Sequence, residues 1–134
     1  MREPSLKEDR WEVESAEDRH ARTGGRFWIP PLEQRAELRL GDLAHLLFRI
    51  QDEDLNGRPE VVVERMWVLV INVPSAGFYL GRLVNQPDCV DRRRHYLTPG
   101  AEVPFRPRHV IDIGRWAQPD IDDFLANVPH RKWV

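Results

Sequence analysis

Cysteine is nearly absent from this chain. Cys89 is the only one, so neither an internal disulfide framework nor a multi-cysteine zinc cluster can be built. Long apolar runs are missing too: nothing reaches the roughly twenty residues a membrane helix needs, and the N-terminal stretch has no apolar core of signal-peptide length. Both absences suit a cytoplasmic protein. Net charge is small, at −2 from 20 basic and 22 acidic residues, so the molecule as a whole does not attract nucleic acid or an anionic membrane. Gly24-Gly25 stands alone without the strand-turn-helix setting of a phosphate loop, and Ser75 lacks the glycine-x-serine-x-glycine elbow of a hydrolase. No internal repeat is visible. What remains is a chain of 134 residues, 41% hydrophobic and 31% charged, which is the size and balance of one ordinary domain.

Residues 1–25 are mostly charged and end in the Gly24-Gly25 pair, so they read as a charged flexible arm, and 26–134 as a single globular domain. Trp11 is the one large aromatic in the arm, and in a charged segment it suits anchoring to a partner. Pro30-Pro31 suits the first turn of a short helix near 31–38. Leu46, Phe48 and Ile50 share one face at strand spacing. From Val61 to Val73 both faces are apolar, as in a strand covered on both sides. Pro74 to Gly77 then turns the chain into Phe78–Val84, a hairpin in which Gly81 marks a bulge or a close backbone approach. Beyond the polar 85–100 connection, Ala101–Phe105 reads as an edge strand because Pro104 cannot donate to a ladder, and His109–Ile113 as a last short strand. Ile121, Phe124, Leu125 and Val128 recur at i, i+3, i+4 and i+7, which predicts an amphipathic C-terminal helix near 119–128.

Five short strands, tight turns and flanking helices predict a mainly β, α+β domain: a small, strongly bent antiparallel sheet closing towards an SH3-like barrel. Trp28 and Trp67 are expected in the core, and Trp116 and Trp133 beside the C-terminal helix. Three stretches carry a resemblance: Met66-Trp67-Val68, Gly81-Arg82-Leu83-Val84-Asn85-Gln86-Pro87, and Gly100-Ala101-Glu102-Val103 leading to Ile111-Asp112. Over residues 65–112 the chain resembles a small bacterial domain family of unknown function (domain of unknown function 2314). The resemblance implies the barrel-like fold and carries no catalytic residues, since the shared positions are turn formers and core residues.

Arginine leads towards function. Arg82, Arg92, Arg93, Arg94, Arg106, Arg108 and Arg115 fall in the second half, against only Asp88, Asp91, Glu102 and Asp112 between Arg82 and Arg115. A planar, permanently charged guanidinium suits carboxylate, phosphate and stacked bases, and His95 and Tyr96 adjoin the run. Arginine is favoured throughout, however: Lys7 and Lys132 are the only lysines, which discounts any one cluster. The chain reads as a non-enzymatic module that binds another protein, with no cofactor. Its surface would be the 87–98 loop, with Arg92, Arg93, Arg94, His95 and Tyr96, and the neighbouring Arg82, Arg106 and Arg108. Nucleic-acid binding through the same arginine and tyrosine face stays open. So does a hydrolase or metal-dependent enzyme built from His109, Asp112, His95 and Cys89, where nearby arginines would lower the Cys89 pKa. His45, His95 and His109 with Asp42 and Asp112 are the ingredients for a metal, but their linear spacing shows no convergence.

Overall fold

The computed structural model describes residues 1–89 and 95–133. Six strands form one antiparallel sheet curled into a half-barrel, with four short helices flanking it. In chain order the elements are α1 (Leu6–Asp9), β1 (Trp11–Val13), α2 (Ala16–Arg22), α3 (Leu32–Arg35), β2 (Asp42–Glu53), β3 (Pro59–Ser75), β4 (Phe78–Leu83), β5 (Glu102–Phe105), β6 (Val110–Arg115) and α4 (Gln118–Asn127). A single 3-10 turn, Pro107–His109, precedes β6. No helix among the described residues is long and apolar enough to cross a membrane.

β2 organises the sheet because both its edges are paired. β3 runs along one edge from Leu43 opposite Leu69 to Glu53 opposite Pro59. The other edge is shared: β6 covers Asp42 to Leu46 and β1 covers Phe48 to Ile50. Ala44, Leu46, Phe48 and Ile50 alternate onto the concave face, where they meet Met66, Val68 and Val70 of β3 and Tyr79, Val103 and Phe105 of β4 and β5. The convex face is covered too. Ala16 of α2 packs with Leu47 and Ile111, while Ile121 of α4 packs with Leu43 and Leu69. The double coverage holds for Met66 to Val70 of β3; Val61, Val63 and Val73, expected within a strand covered on both sides, are exposed, because the packed clusters on the two faces reach only Met66 to Val70 of this strand.

The hairpin, the edge strand and the C-terminal helix lie where the sequence placed them. A Cβ on Gly81 would stand 2.8 Å from Val68 Cγ2 and 3.2 Å from the Leu69 carbonyl, so β4 passes β3 too closely for any side chain. Gly100 is tighter still: at φ +94° its Cβ would fall 1.7 Å from the Pro129 carbonyl, so the turn entering β5 admits glycine alone.

Other expectations are revised. Among the described residues the strands number six, not five, and β2 and β3 are long, at 12 and 17 residues. Residues 1–25, expected as a flexible arm outside the domain, are stitched into its sheet. β1 pairs with β2, and Trp11 is fully buried, stacked on Tyr96 at 5.8 Å and set edge-on to Trp133 at 5.5 Å. The charges of this segment are partnered rather than solvated, as in Arg19 with Glu14 and Glu17 with Arg35. The helix near 31–38 is a single turn. It ends early because Tyr79 Oη donates to the Arg35 carbonyl at 2.8 Å and accepts from the Leu38 N–H at 3.3 Å, taking up backbone groups that a longer helix would use. Trp28 is 64% exposed, not core. Trp67 is half-buried, lying flat on His45 at 4.2 Å. Trp116 does staple α4, through Phe124 at 5.6 Å, but Trp133 joins Trp11 and Tyr96 instead.

Trp11→Ala is expected to destabilise the domain by about 3–5 kcal/mol, as loss of a fully buried tryptophan does, whereas Trp28→Ala should cost less than about 1 kcal/mol. Urea unfolding of both variants beside the wild type checks this, and equal effects would refute the packed N-terminal segment.

Candidate functional site

The 85–101 connection is tied down at both ends by side chains from elsewhere in the fold. At its start, Val84 N–H donates to the Trp67 carbonyl and Asn85 Oδ1 accepts from Trp67 N–H at 2.8 Å. The Glu64 carboxylate on β3 then accepts from the backbone N–H groups of Asp88 at 2.8 Å and Cys89 at 3.2 Å. Two consecutive amides aimed at one carboxylate hold the strand exit as an N-cap would hold a helix. At its end, one guanidinium nitrogen of Arg131 donates to the carbonyls of His95 and Tyr96, both at 2.7 Å. Tyr96 Oη donates to the Glu102 carbonyl at 2.8 Å, and Leu97 is fully buried. Arg92, Arg93 and Arg94 lie outside the described residues.

Glu102 is the hinge pin of this end. Its side chain is buried on β5, where one oxygen accepts the Trp133 N–H at 2.9 Å and the other meets His130 Nε2 at 2.7 Å. Its backbone N–H donates to the Arg131 carbonyl at 2.8 Å. A carboxylate buried like this requires donors, and the C-terminal segment supplies them.

The expected arginine face divides. Arg82 is 7% exposed, and its guanidinium donates to the carbonyls of Gly100 and Pro129, so it braces the C-terminal segment from inside. Burial lowers its pKa. Arg106 and Arg108 sit half-exposed at the far end of β5. Arg108 meets Glu3 at 2.8 Å, and Arg106 lies 3.6 Å from Glu3 and over the Phe78 ring at 4.5 Å. The Tyr96 ring is stacked on Trp11 with Trp133 set edge-on to both, and its hydroxyl, buried beside Glu102, is pushed far above the usual phenol range. His95 is half-buried, with Nδ1 accepting from Leu97 N–H at 3.1 Å, and burial lowers its pKa.

Among the described residues no hydrogen bond joins Cys89, His95, His109 and Asp112 to one another; each is engaged elsewhere. Cys89, expected as a thiolate activated by arginines, is the reverse: burial and then the Glu64 carboxylate push its thiol up to about 12. His109 is buried in the turn before β6, its Nδ1 accepting from Arg106 N–H at 2.9 Å. Burial, reinforced by Arg108, brings its pKa down to about 4, against the pull of Glu3. Asp112 lies on β6 opposite His45, and its Oδ1 accepts from the next backbone N–H at 2.8 Å. The turn at Pro107–His109 separates His109 from the strand that carries Asp112. No three potential metal-ligating side chains converge among the described residues.

Three organising side chains escaped the sequence reading: Glu64, Glu102 and Arg35. Arg35 is buried and donates to the carbonyls of Pro30 and Pro107 while pairing with Glu17 at 2.7 Å. The only signal for Glu102 was a charge inside the apolar stretch Ala101–Phe105, and for Arg35 there was none. No family model, curated protein or solved structure matches this chain.

Two outcomes follow from these environments. At pH 8 native Cys89 should react with iodoacetamide at least about 100-fold more slowly than the same residue in the guanidinium-unfolded chain, because the thiolate fraction falls tenfold per pKa unit. A native rate equal to the unfolded one would contradict the buried, acid-flanked thiol. For His109, the unfolded ring at about 6.5 binds its proton before the folded one does, so stability falls as pH drops from about 6.5 to 4. His109→Gln should remove roughly 3 kcal/mol of that fall, read as a shallower pH dependence of the urea midpoint between those limits. Parallel pH profiles for variant and wild type would count against it.

Proposed function

We propose that this chain is a binding module whose contact surface is the 87–98 stretch, with Arg92, Arg93 and Arg94 as the residues that meet a protein partner of acidic character. The observation that supports this reading is the double anchoring of the stretch. Glu64 holds the amides of Asp88 and Cys89, and Arg131 holds the carbonyls of His95 and Tyr96. Fixed stems lower the entropy lost when a charged segment docks, which is how a scaffold presents recognition residues. Arg106 and Arg108 stand at the far end of β5, where both meet Glu3, and Arg82 acts from inside the fold, so the arginines of the stretch itself carry the reading. The bacterial resemblance over residues 65–112 and a cytoplasmic setting belong to the same reading.

The test compares wild type with an Arg92→Ala, Arg93→Ala, Arg94→Ala variant in affinity capture from bacterial cytosol at low and high salt, with protein and nucleic acid scored separately. The triple variant should keep its urea midpoint within about 0.5 kcal/mol of wild type while its protein partner is lost. Capture undiminished in the folded triple variant would sink the proposal. Capture of nucleic acid alone, falling steeply with salt as counterion release requires, would replace it with the nucleic-acid reading.

A further inference from the structure

Trp11, Tyr96 and Trp133 form an aromatic corner where the N-terminal and C-terminal segments meet. Trp133 stands edge-on to both of the others, at 5.5 and 5.6 Å, and its own ring face is turned outward into a shallow cleft of about 240 Å³. Asp9, at the end of α1, and Lys132 line the cleft beside it. A cation already lies there. The Arg2 guanidinium sits 4.4 Å over the Trp133 ring, and its two terminal nitrogens donate to the two Asp9 oxygens, each at 2.7 Å. Glu8 stands 3.6 Å away.

The receptor half of this arrangement does not depend on the Arg2 side chain. Trp133 is held by its backbone N–H to Glu102, by its indole Nε1, which donates to the Arg2 backbone carbonyl at 3.0 Å, and by Trp11 beside it. The Asp9 carboxylate, one-tenth exposed, also accepts from the Ser5 N–H at 2.9 Å. Arg2, by contrast, is nearly half exposed and reaches the cleft on a flexible side chain that can swing out without moving the backbone. An aromatic face beside a fixed, shielded carboxylate is matched to a planar cation, because the ring attracts the flat guanidinium while the carboxylate takes two parallel hydrogen bonds.

We propose that the Trp133–Asp9 cleft is a recognition site for an arginine side chain presented by another protein, and that Arg2 is a tethered stand-in which a partner's arginine displaces. Tethering gives Arg2 a millimolar-range effective concentration, so it masks the site against weak ligands and admits only a segment that gains further contacts alongside. The site is independent of the 87–98 proposal: its ligand is a cation rather than an acidic surface, so either can fail alone.

The probe is N-acetyl-arginine amide, with the neutral isostere N-acetyl-citrulline amide as its control, followed through the Trp133 indole N–H signal in two-dimensional NMR. Arg2→Ala should bind the arginine probe saturably in the millimolar range and ignore citrulline, and wild type should bind at least about twofold more weakly, because a tethered competitor whose effective concentration equals the dissociation constant doubles the apparent constant. Adding Asp9→Asn to Arg2→Ala should abolish the shift while the remaining spectrum stays dispersed. Equal response to arginine and citrulline, equal affinity in wild type and Arg2→Ala, or binding that survives Asp9→Asn would each overturn the proposal. Self-association of the wild type that disappears in Arg2→Ala would overturn the assignment to another protein, since a second copy's Arg2 would be the occupant.

Discussion

A buried carboxylate must find donors, and the way Glu102 finds them holds much of this molecule together. Its two oxygens take the Trp133 N–H and His130 Nε2, and its own N–H and carbonyl engage Arg131 and Tyr96. The C-terminal segment is thereby laid along β5, an edge that would otherwise expose unpaired backbone. Once there, it brings Trp133 onto Trp11 and the Arg131 guanidinium onto the carbonyls of His95 and Tyr96. Both chain ends and the close of the 85–101 connection are thus referred to one side chain. Arg82 reinforces the same joint from below through Gly100 and Pro129.

The curl of the sheet makes this convergence possible. β2 is paired along both edges, with β1 and β6 end to end on one of them, so the N-terminal segment enters the barrel beside the strands that precede α4. Gly81 and Gly100 permit the two close passages that the curvature demands. With the concave face filled by Phe48, Tyr79 and Phe105 and the convex face covered by α2 and α4, the surface left for recognition is at the ends of the strands. The anchored 85–101 connection and the Trp133–Asp9 cleft both lie there.

Much of the strand plan was legible because it rests on local rules. Alternation at Leu46, Phe48 and Ile50 needs only the period of a strand, the hairpin at Pro74–Gly77 only turn chemistry, and the edge position of β5 only the missing N–H of Pro104. The amphipathic spacing from Ile121 to Val128 likewise foretold α4. The candidate site was far less legible. Arg82 and Arg106 look alike as letters, yet one is sealed under the C-terminal segment and the other lies over Phe78 beside Glu3. Cys89 sits near arginines in sequence but is buried, and lies against Glu64, in space, which reverses the sign of its perturbation. Trp11 and Trp28 exchange the places expected of them, because a charged context does not show that its charges are partnered across the fold.

The amino-acid sequence by itself determined a mainly β fold with a bent antiparallel sheet, a hairpin after β3 and an amphipathic helix after the last strand. Those features follow from periodicity, backbone permissiveness and turn chemistry, all of which act within a few residues. Only the tertiary structure decided that residues 1–25 belong to the sheet, that Glu64, Glu102 and Arg131 pin the 85–101 connection, and that Arg2 lies over Trp133. These depend on pairings between residues 24 to 131 positions apart, whose partners are chosen by how the sheet curls and which side chains lose their water together.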